Sequence, residues 1–193
     1  MSEVLFSPEG ALFLSPGHRP GENDQGSCGL KDRASFSHEV AVPQSLARVL
    51  VHVVFSTKHR EPLLAKPARD ELHAYLSGVL NNDGCTSLRV GGFDDHVHLL
   101  FALSRTRTIA QVIENVKTSS SKWLKTKGAA LAAFHWQNGY GIYSVSQSHA
   151  DAVVAYIAGQ EEHHTKQRET YQDEVRRLYC EAHIEFDERY VWD

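Results

Sequence analysis

Gly91-Gly92-Phe93-Asp94-Asp95-His96-Val97-His98-Leu99-Leu100-Phe101-Ala102-Leu103 decides how the rest of the chain is read. Its second half is an uninterrupted apolar run, bounded by two glycines on one side and by Ser104-Arg105 on the other. That is the pattern of a strand inside a sheet, with Asp94-Asp95 as a tight turn leading into it. Successive strand side chains alternate faces, so His96 and His98 share one face, with Cα atoms about 6.5 to 7 Å apart. Two imidazoles at that spacing can converge on one cation, although most such pairs in globular chains are simply solvated or hydrogen-bonded.

Outward from this strand, three further strands and four helices are expected. Val49-Leu50-Val51-His52-Val53-Val54-Phe55 reads as the first strand, followed by a helix from Pro67 to about Asn81 and a second strand from Thr86 to Phe93. The second strand pairs with His96–Leu103 as a hairpin. Thr108 with Gln111 forms a capping box that opens a helix to about Lys127. The aromatic, glycine-punctuated loop Phe134–Gly141 leads to a fourth strand at Ile142–Ser146. Ser148 and Asp151 are expected to cap a helix from His149 to about Glu162, and a last helix covers Tyr171 to Ala182. The order predicts an α+β fold, an antiparallel sheet of split βαβ, ferredoxin-like or RRM-like topology with helices mainly on one face.

With 193 residues, 41% apolar and 23% charged, the chain has the composition of a globular protein, with no apolar run long enough for a membrane span. Residues 1–44, broken by Pro8, Pro16, Pro20, Gly21 and Gly26, read as a flexible extension before a domain at 45–193. Three cysteines without paired spacing, Cys28, Cys85 and Cys180, argue against a disulfide framework, and a cytoplasmic location is expected. Charge is unevenly spread: residues 45–160 carry 12 basic and 8 acidic side chains, whereas residues 161–193 carry 5 and 10. Arg105, Arg107, Lys117, Lys122, Lys125 and Lys127 stand against the single acid Glu114, which makes them either a solvated surface or a phosphate-binding face.

On the helix from His149, Tyr156 and Gln160 are four residues apart and share a face. His-x-His on a strand, followed some sixty positions later by Tyr-Ile-x-x-Gln on a helix, resembles the single-tyrosine HUH transposases of small bacterial insertion sequences, which move as single-stranded DNA. The resemblance extends through Val53–Lys58, Asp95–Leu100, Lys117–Trp123, Trp136–Gly141 and Tyr156–His164, in that order along the chain.

This resemblance implies a DNA transposase that cleaves and rejoins single-stranded DNA at hairpin-flanked ends. Tyr156 would be the nucleophile, forming a 5′-phosphotyrosine and leaving a free 3′-hydroxyl. His96, His98 and Gln160 would hold Mg²⁺ or Mn²⁺, with His163 and His164 close enough in sequence to replace Gln160. A phenolate leaves more readily than an alkoxide, so such an intermediate is reversible. The resemblance also implies a homodimer with active sites shared between subunits. Arg105, Arg107, Lys117, Lys122 and Lys125 would contact DNA phosphates, and Trp136 or Tyr140 would stack on an unpaired base. Two alternatives stand beside it: a hairpin-binding protein without catalysis, and a metal-dependent phosphodiesterase that uses water.

Overall fold

In the computed structural model, which describes residues 46–167 and 169–192, the chain from Arg48 onward forms one compact unit. The expected extension at 1–44, with Cys28, lies outside the described residues. Four strands, β1 (Leu50–Ser56), β2 (Thr86–Gly92), β3 (His96–Ala102) and β4 (Gly141–Val145), pair antiparallel in the order β2-β3-β1-β4. Placing β3 between β1 and β2 is the split βαβ arrangement that the order of elements predicts.

Both sheet faces carry helices. The odd-numbered residues Val51, Val53 and Phe55 of β1, with Val97, Leu99 and Phe101 of β3, pack under α1 (Lys66–Asn82) and α2 (Ile109–Lys125). The even-numbered set meets α3 (Ala150–Ala158) through Leu50, Leu100, Val145 and Ile157. Val54 and Tyr143 instead meet α5 (Tyr171–Glu181) through Val175, Leu178 and Tyr179. The expectation of helices mainly on one face thus describes α1 and α2, while α3 and α5 close the second face. This double cover is why β1 is buried along its whole length and its sequence runs apolar without alternation. Each fully buried Leu, Val or Phe contributes about 1.5 to 3 kcal/mol.

Local sequence accounts for most boundaries. Pro67 opens α1 within its first turn, and Thr108 and Gln111 form the expected capping box on α2. Thr170 caps α5, its hydroxyl accepting from the Asp173 amide at 3.2 Å. α3 departs from expectation at both ends. Ser148 does not cap it: the Ser146 and Ser148 hydroxyls meet His149 Nδ1 at 2.7 and 3.3 Å, and a 3₁₀ turn, Gln147–His149, precedes the helix. At the other end Gly159 breaks the helix, a single turn α4 (Gln160–Glu162) resumes it, and a π-helical stretch, His163–Gln167, follows. Among the described residues, no helix is long and apolar enough to cross a membrane. Cys85 and Cys180 are free thiols, one buried and one exposed.

Candidate active site

The pairing of β1 with β3 sets Val54 opposite His98 and Ser56 opposite His96, so His52, His96 and His98 line one face of the two central strands. All three are buried. The Nδ1 atoms of His96 and His98 each have a neighbour. His96 Nδ1 lies 2.6 Å from Asp95 Oδ1, and His98 Nδ1 lies 3.0 Å from His52 Nε2. Both Nε2 atoms are thereby left pointing at one spot, as in imidazoles whose other nitrogen is held by a neighbour so that the free one can take a cation.

Three other elements close over that spot. Gln160 on α4 is 1% exposed, with Oε1 at 3.2 Å from His96 Nε2 and 3.0 Å from His164 Nε2. Tyr156 on α3 sets its ring edge-on to His52 and His98, with centroids 6.3 and 5.8 Å apart. α5 inserts Glu174, which is fully buried. Its Oε1 accepts from Gln160 Nε2 at 2.8 Å and from the Tyr156 hydroxyl, and it lies 3.3 Å from His98 Nε2. Its Oε2 stands 3.5 Å from His96 Nε2 and 3.2 Å from His164 Nε2. Arg177, one turn along α5, donates to the Tyr156 hydroxyl at 3.1 Å and lies over its ring at 5.7 Å.

Electrostatics follow from this crowding. Burial, with repulsion from His98, pushes His52 down to about 3, so it stays neutral. Burial also keeps His98 below its ordinary value, against the pull of Glu174. For Glu174 burial alone would raise the carboxyl, but the imidazoles of His98, His164 and His96 outweigh it and hold the pKa well below the usual range. Burial and the Glu174 carboxylate raise the Tyr156 phenol, an effect Arg177 partly offsets. In this arrangement the phenol keeps its proton and shares it with a carboxylate.

The donor set fits a divalent cation. His96, His98 and Glu174 each offer an atom, all within 4.8 Å of one another. Two of those groups, His98 Nε2 and Glu174 Oε2, are buried without a hydrogen-bonding partner. Such orphaned atoms call for an explanation, and mixed nitrogen and oxygen donors suit Mg²⁺ or Mn²⁺.

The model of the family described as IS200-like transposases matches residues 45–160, more than half the chain and the whole run from β1 through Gln160. The chain belongs to this family. No curated protein matches it. Among solved structures, one from Deinococcus radiodurans R1, described as a candidate transposase, is 20% identical over 63% of this chain and 98% of its own, with a TM-score of 0.49. Another, a REP-associated tyrosine transposase bound to a REP hairpin, is 12% identical over 77% of this chain and 93% of its own, also at 0.49.

In this IS200-like transposase the expected residues fall into two places and a remainder. Tyr156, His96, His98 and Gln160 converge as described, with His164 beside them. His163 points instead to Glu169. A groove of about 620 Å³ between α2 and the 136–140 loop gathers Lys117, Lys122, Lys125, Trp136 and Tyr140. Two of these serve the fold. Lys117 Nζ donates to the carbonyls of Gln137 at 3.0 Å, Asn138 at 3.3 Å and Gly139, and burial lowers it to about 8. Trp136 is 6% exposed, edge-on to Phe55 and Phe134, with Nε1 donating to Ser120 Oγ at 2.9 Å, so most of its ring is packed within the fold. Tyr140 is the partly open aromatic of the pair. Arg105 and Arg107 sit beyond the end of β3 opposite His96, where Arg107 lies 3.4 Å from Asp83.

Glu174, His52 and Arg177 were not anticipated. A signal existed for the first two: Glu174 interrupts the apolar stripe Tyr171, Val175, Leu178, and His52 interrupts a valine run.

Proposed function

We propose that this transposase cuts and rejoins single-stranded DNA through a covalent tyrosine intermediate, and that one chain supplies both nucleophile and metal ligands. The observation that carries this is the packing of the Tyr156 phenol against His98 within a single protomer, beside the two imidazole Nε2 atoms and Gln160. His96, His98 and Gln160 would hold the cation, and a bound Mg²⁺ or Mn²⁺ would supply Lewis-acid polarisation of a phosphate.

The remaining chemistry belongs to the chain's own residues. Tyr156 Oη forms a bond to the scissile phosphorus as the bond from phosphorus to O3′ breaks. The phenol proton passes to an acceptor beside Tyr156, and a proton is delivered to the departing 3′ oxygen. The products are a 5′-phosphotyrosine and a free 3′-hydroxyl. Attack by another 3′-hydroxyl on the phosphotyrosine reverses the bonding and joins new ends. Arg177, which already touches the phenol oxygen, offsets negative charge there.

DNA would approach along the groove of α2. Lys122 and Lys125 offer charge to phosphates, and Tyr140 offers a ring to an unpaired base. Gln137 links this groove to the site: it lines the groove, and its Oε1 accepts from the Tyr171 hydroxyl at 3.0 Å, while the Tyr171 ring lies 5.0 Å from His96. A hairpin-flanked single strand is the substrate that the family resemblance implies.

The test is adduct formation on a labelled single-stranded hairpin with Mn²⁺. Wild type is expected to give a protease-sensitive adduct, whereas Tyr156→Phe binds the DNA and forms none; equal cutting by both removes Tyr156 from the mechanism. Mixing Tyr156→Phe with a His96→Ala, His98→Ala variant separates delivery within one protomer from sharing between two. Delivery within one protomer leaves the mixture inactive, and restored activity would establish a site shared across a dimer.

A further inference from the structure

The family match ends at Gln160, yet the most enclosed charge at the site comes from beyond it, on α5. Glu174 is fully buried between two imidazoles and the Tyr156 hydroxyl, a placement that costs a carboxylate several kcal/mol unless its charge is compensated. Its compensation is incomplete. Oε1 holds the Tyr156 hydroxyl and Gln160 Nε2, whereas Oε2 has only the imidazoles of His164 and His96 near it, at 3.2 and 3.5 Å, with no hydrogen bond formed. The nitrogen across from the carboxylate, His98 Nε2, is unpartnered too. One carboxylate oxygen of Glu174 and one ring nitrogen each from His96 and His98 lie within 4.8 Å of one another, with Gln160 Oε1 alongside His96 Nε2.

Tautomers agree with this reading. Asp95 occupies Nδ1 of His96 and His52 occupies Nδ1 of His98, so both imidazoles turn Nε2 toward Glu174. With Nδ1–H of His96 donated to Asp95 and Nδ1–H of His98 donated to His52, both Nε2 lone pairs would face a cation seated between the imidazoles and the carboxylate.

We propose that Glu174 is a fourth protein ligand of the divalent cation, so that the C-terminal helix α5 is part of the metal centre and is fastened to the sheet when the cation binds. This rests on the metal reading of His96, His98 and Gln160 given above. The set becomes two imidazole nitrogens, one amide oxygen and one carboxylate oxygen. The carboxylate adds the only full negative charge among the four donors, which favours a hard cation over a softer one. It also makes α5 a lever on the nucleophile, because the same carboxylate holds the Tyr156 hydroxyl and Arg177 follows it on the same helix.

The experiment is Mn²⁺ binding by calorimetry, without DNA, on wild type, Glu174→Gln and the His96→Ala, His98→Ala variant, paired with amide hydrogen exchange of the wild-type α5 segment with and without Mn²⁺. Expected are measurable binding to wild type, at least about tenfold weaker binding to Glu174→Gln, and slower exchange across 171–181 when Mn²⁺ is present. The tenfold threshold is the low end of what losing even an outer-shell partner costs. If wild type binds Mn²⁺ but Glu174→Gln matches it and α5 exchange is unmoved, Glu174 is not a ligand. No binding to wild type overturns the metal reading itself, a different failure. The exchange measurement uses wild type alone, so unmoved exchange across 171–181 with Mn²⁺ bound overturns the proposal even if Glu174→Gln folds poorly.

Discussion

His73 on α1, a half-buried residue, shows what a ring nitrogen costs when it is buried without a partner. Its Nε2 is buried without a partner, and burial, with repulsion from Arg69, Arg89 and His98 against attraction from Asp70, lowers it from 6.5 to about 4. A histidine that resists protonation when folded but not when unfolded withdraws stability as pH falls: the unfolded chain binds the extra proton between about 6.5 and 4. Over that window the contribution is on the order of 2 kcal/mol, at about 1.4 kcal/mol per unit with allowance for solvent. Chemical denaturation from pH 7 to 4.5 should therefore show a shallower decline for His73→Gln than for wild type; parallel curves would mean that His73 is silent. His52 is the functional counterpart. His52→Gln is expected to leave His98 free to rotate and to weaken Mn²⁺ binding by about 10- to 100-fold, read by calorimetry against an unchanged melting profile. The sequence places His96 and His98 on one strand face by spacing alone, whereas the roles expected of Tyr156 and Gln160 come from the family resemblance. It did not disclose Glu174 or His52, because each acts across elements, and their only trace is a polar residue standing in an apolar run.

At the scale of elements, the close contact of β2 with α3 governs where the nucleophile stands. A Cβ on Gly91 would lie 2.5 Å from the Ile157 carbonyl oxygen and 2.6 Å from its Cγ2, and neither backbone can yield cheaply. Ile157 follows Tyr156 directly, so Gly91→Ala must push α3 away from the sheet and shift the phenol. A loss of about 1 to 3 kcal/mol in unfolding free energy is expected, as for other overpacked sites. Adduct formation should fall by more than DNA binding does, and equal losses in both would place the effect in folding alone. The same region explains why element boundaries were only partly legible. A first-turn proline announces α1 and a capping box announces α2, whereas the end of α3 is set by Gly159 and a π-helical stretch, an outcome of packing that gives little sequence signal. Within that stretch His164 reaches both Gln160 and Glu174, and only the Gln160 contact, four residues back, could be expected from helical spacing.

At the scale of the molecule, the uneven charge acquires a place. The basic excess of residues 45–160 divides between lysines that face the groove and cations that are spent within the fold, such as Lys117 on three loop carbonyls and Arg69 on Asp94. Only the first group can exchange counterions for DNA phosphates, and counting lysines in the sequence could not separate the two. The distinction is measurable through salt dependence. Each phosphate contact to single-stranded DNA contributes about 0.7 to the slope of log affinity against log salt. A Lys122→Ala, Lys125→Ala variant is therefore expected to bind a single-stranded hairpin with a slope shallower by about 1.4, with its melting temperature unchanged, since Lys122 is exposed and Lys125 half-buried. Lys117→Ala should do the reverse: it releases the 136–140 loop, lowers the melting temperature, and weakens binding without the matching change in slope. Should Lys117→Ala flatten the slope while the double variant does not, the groove is not the path of the DNA, and the phosphates must run over another part of the surface.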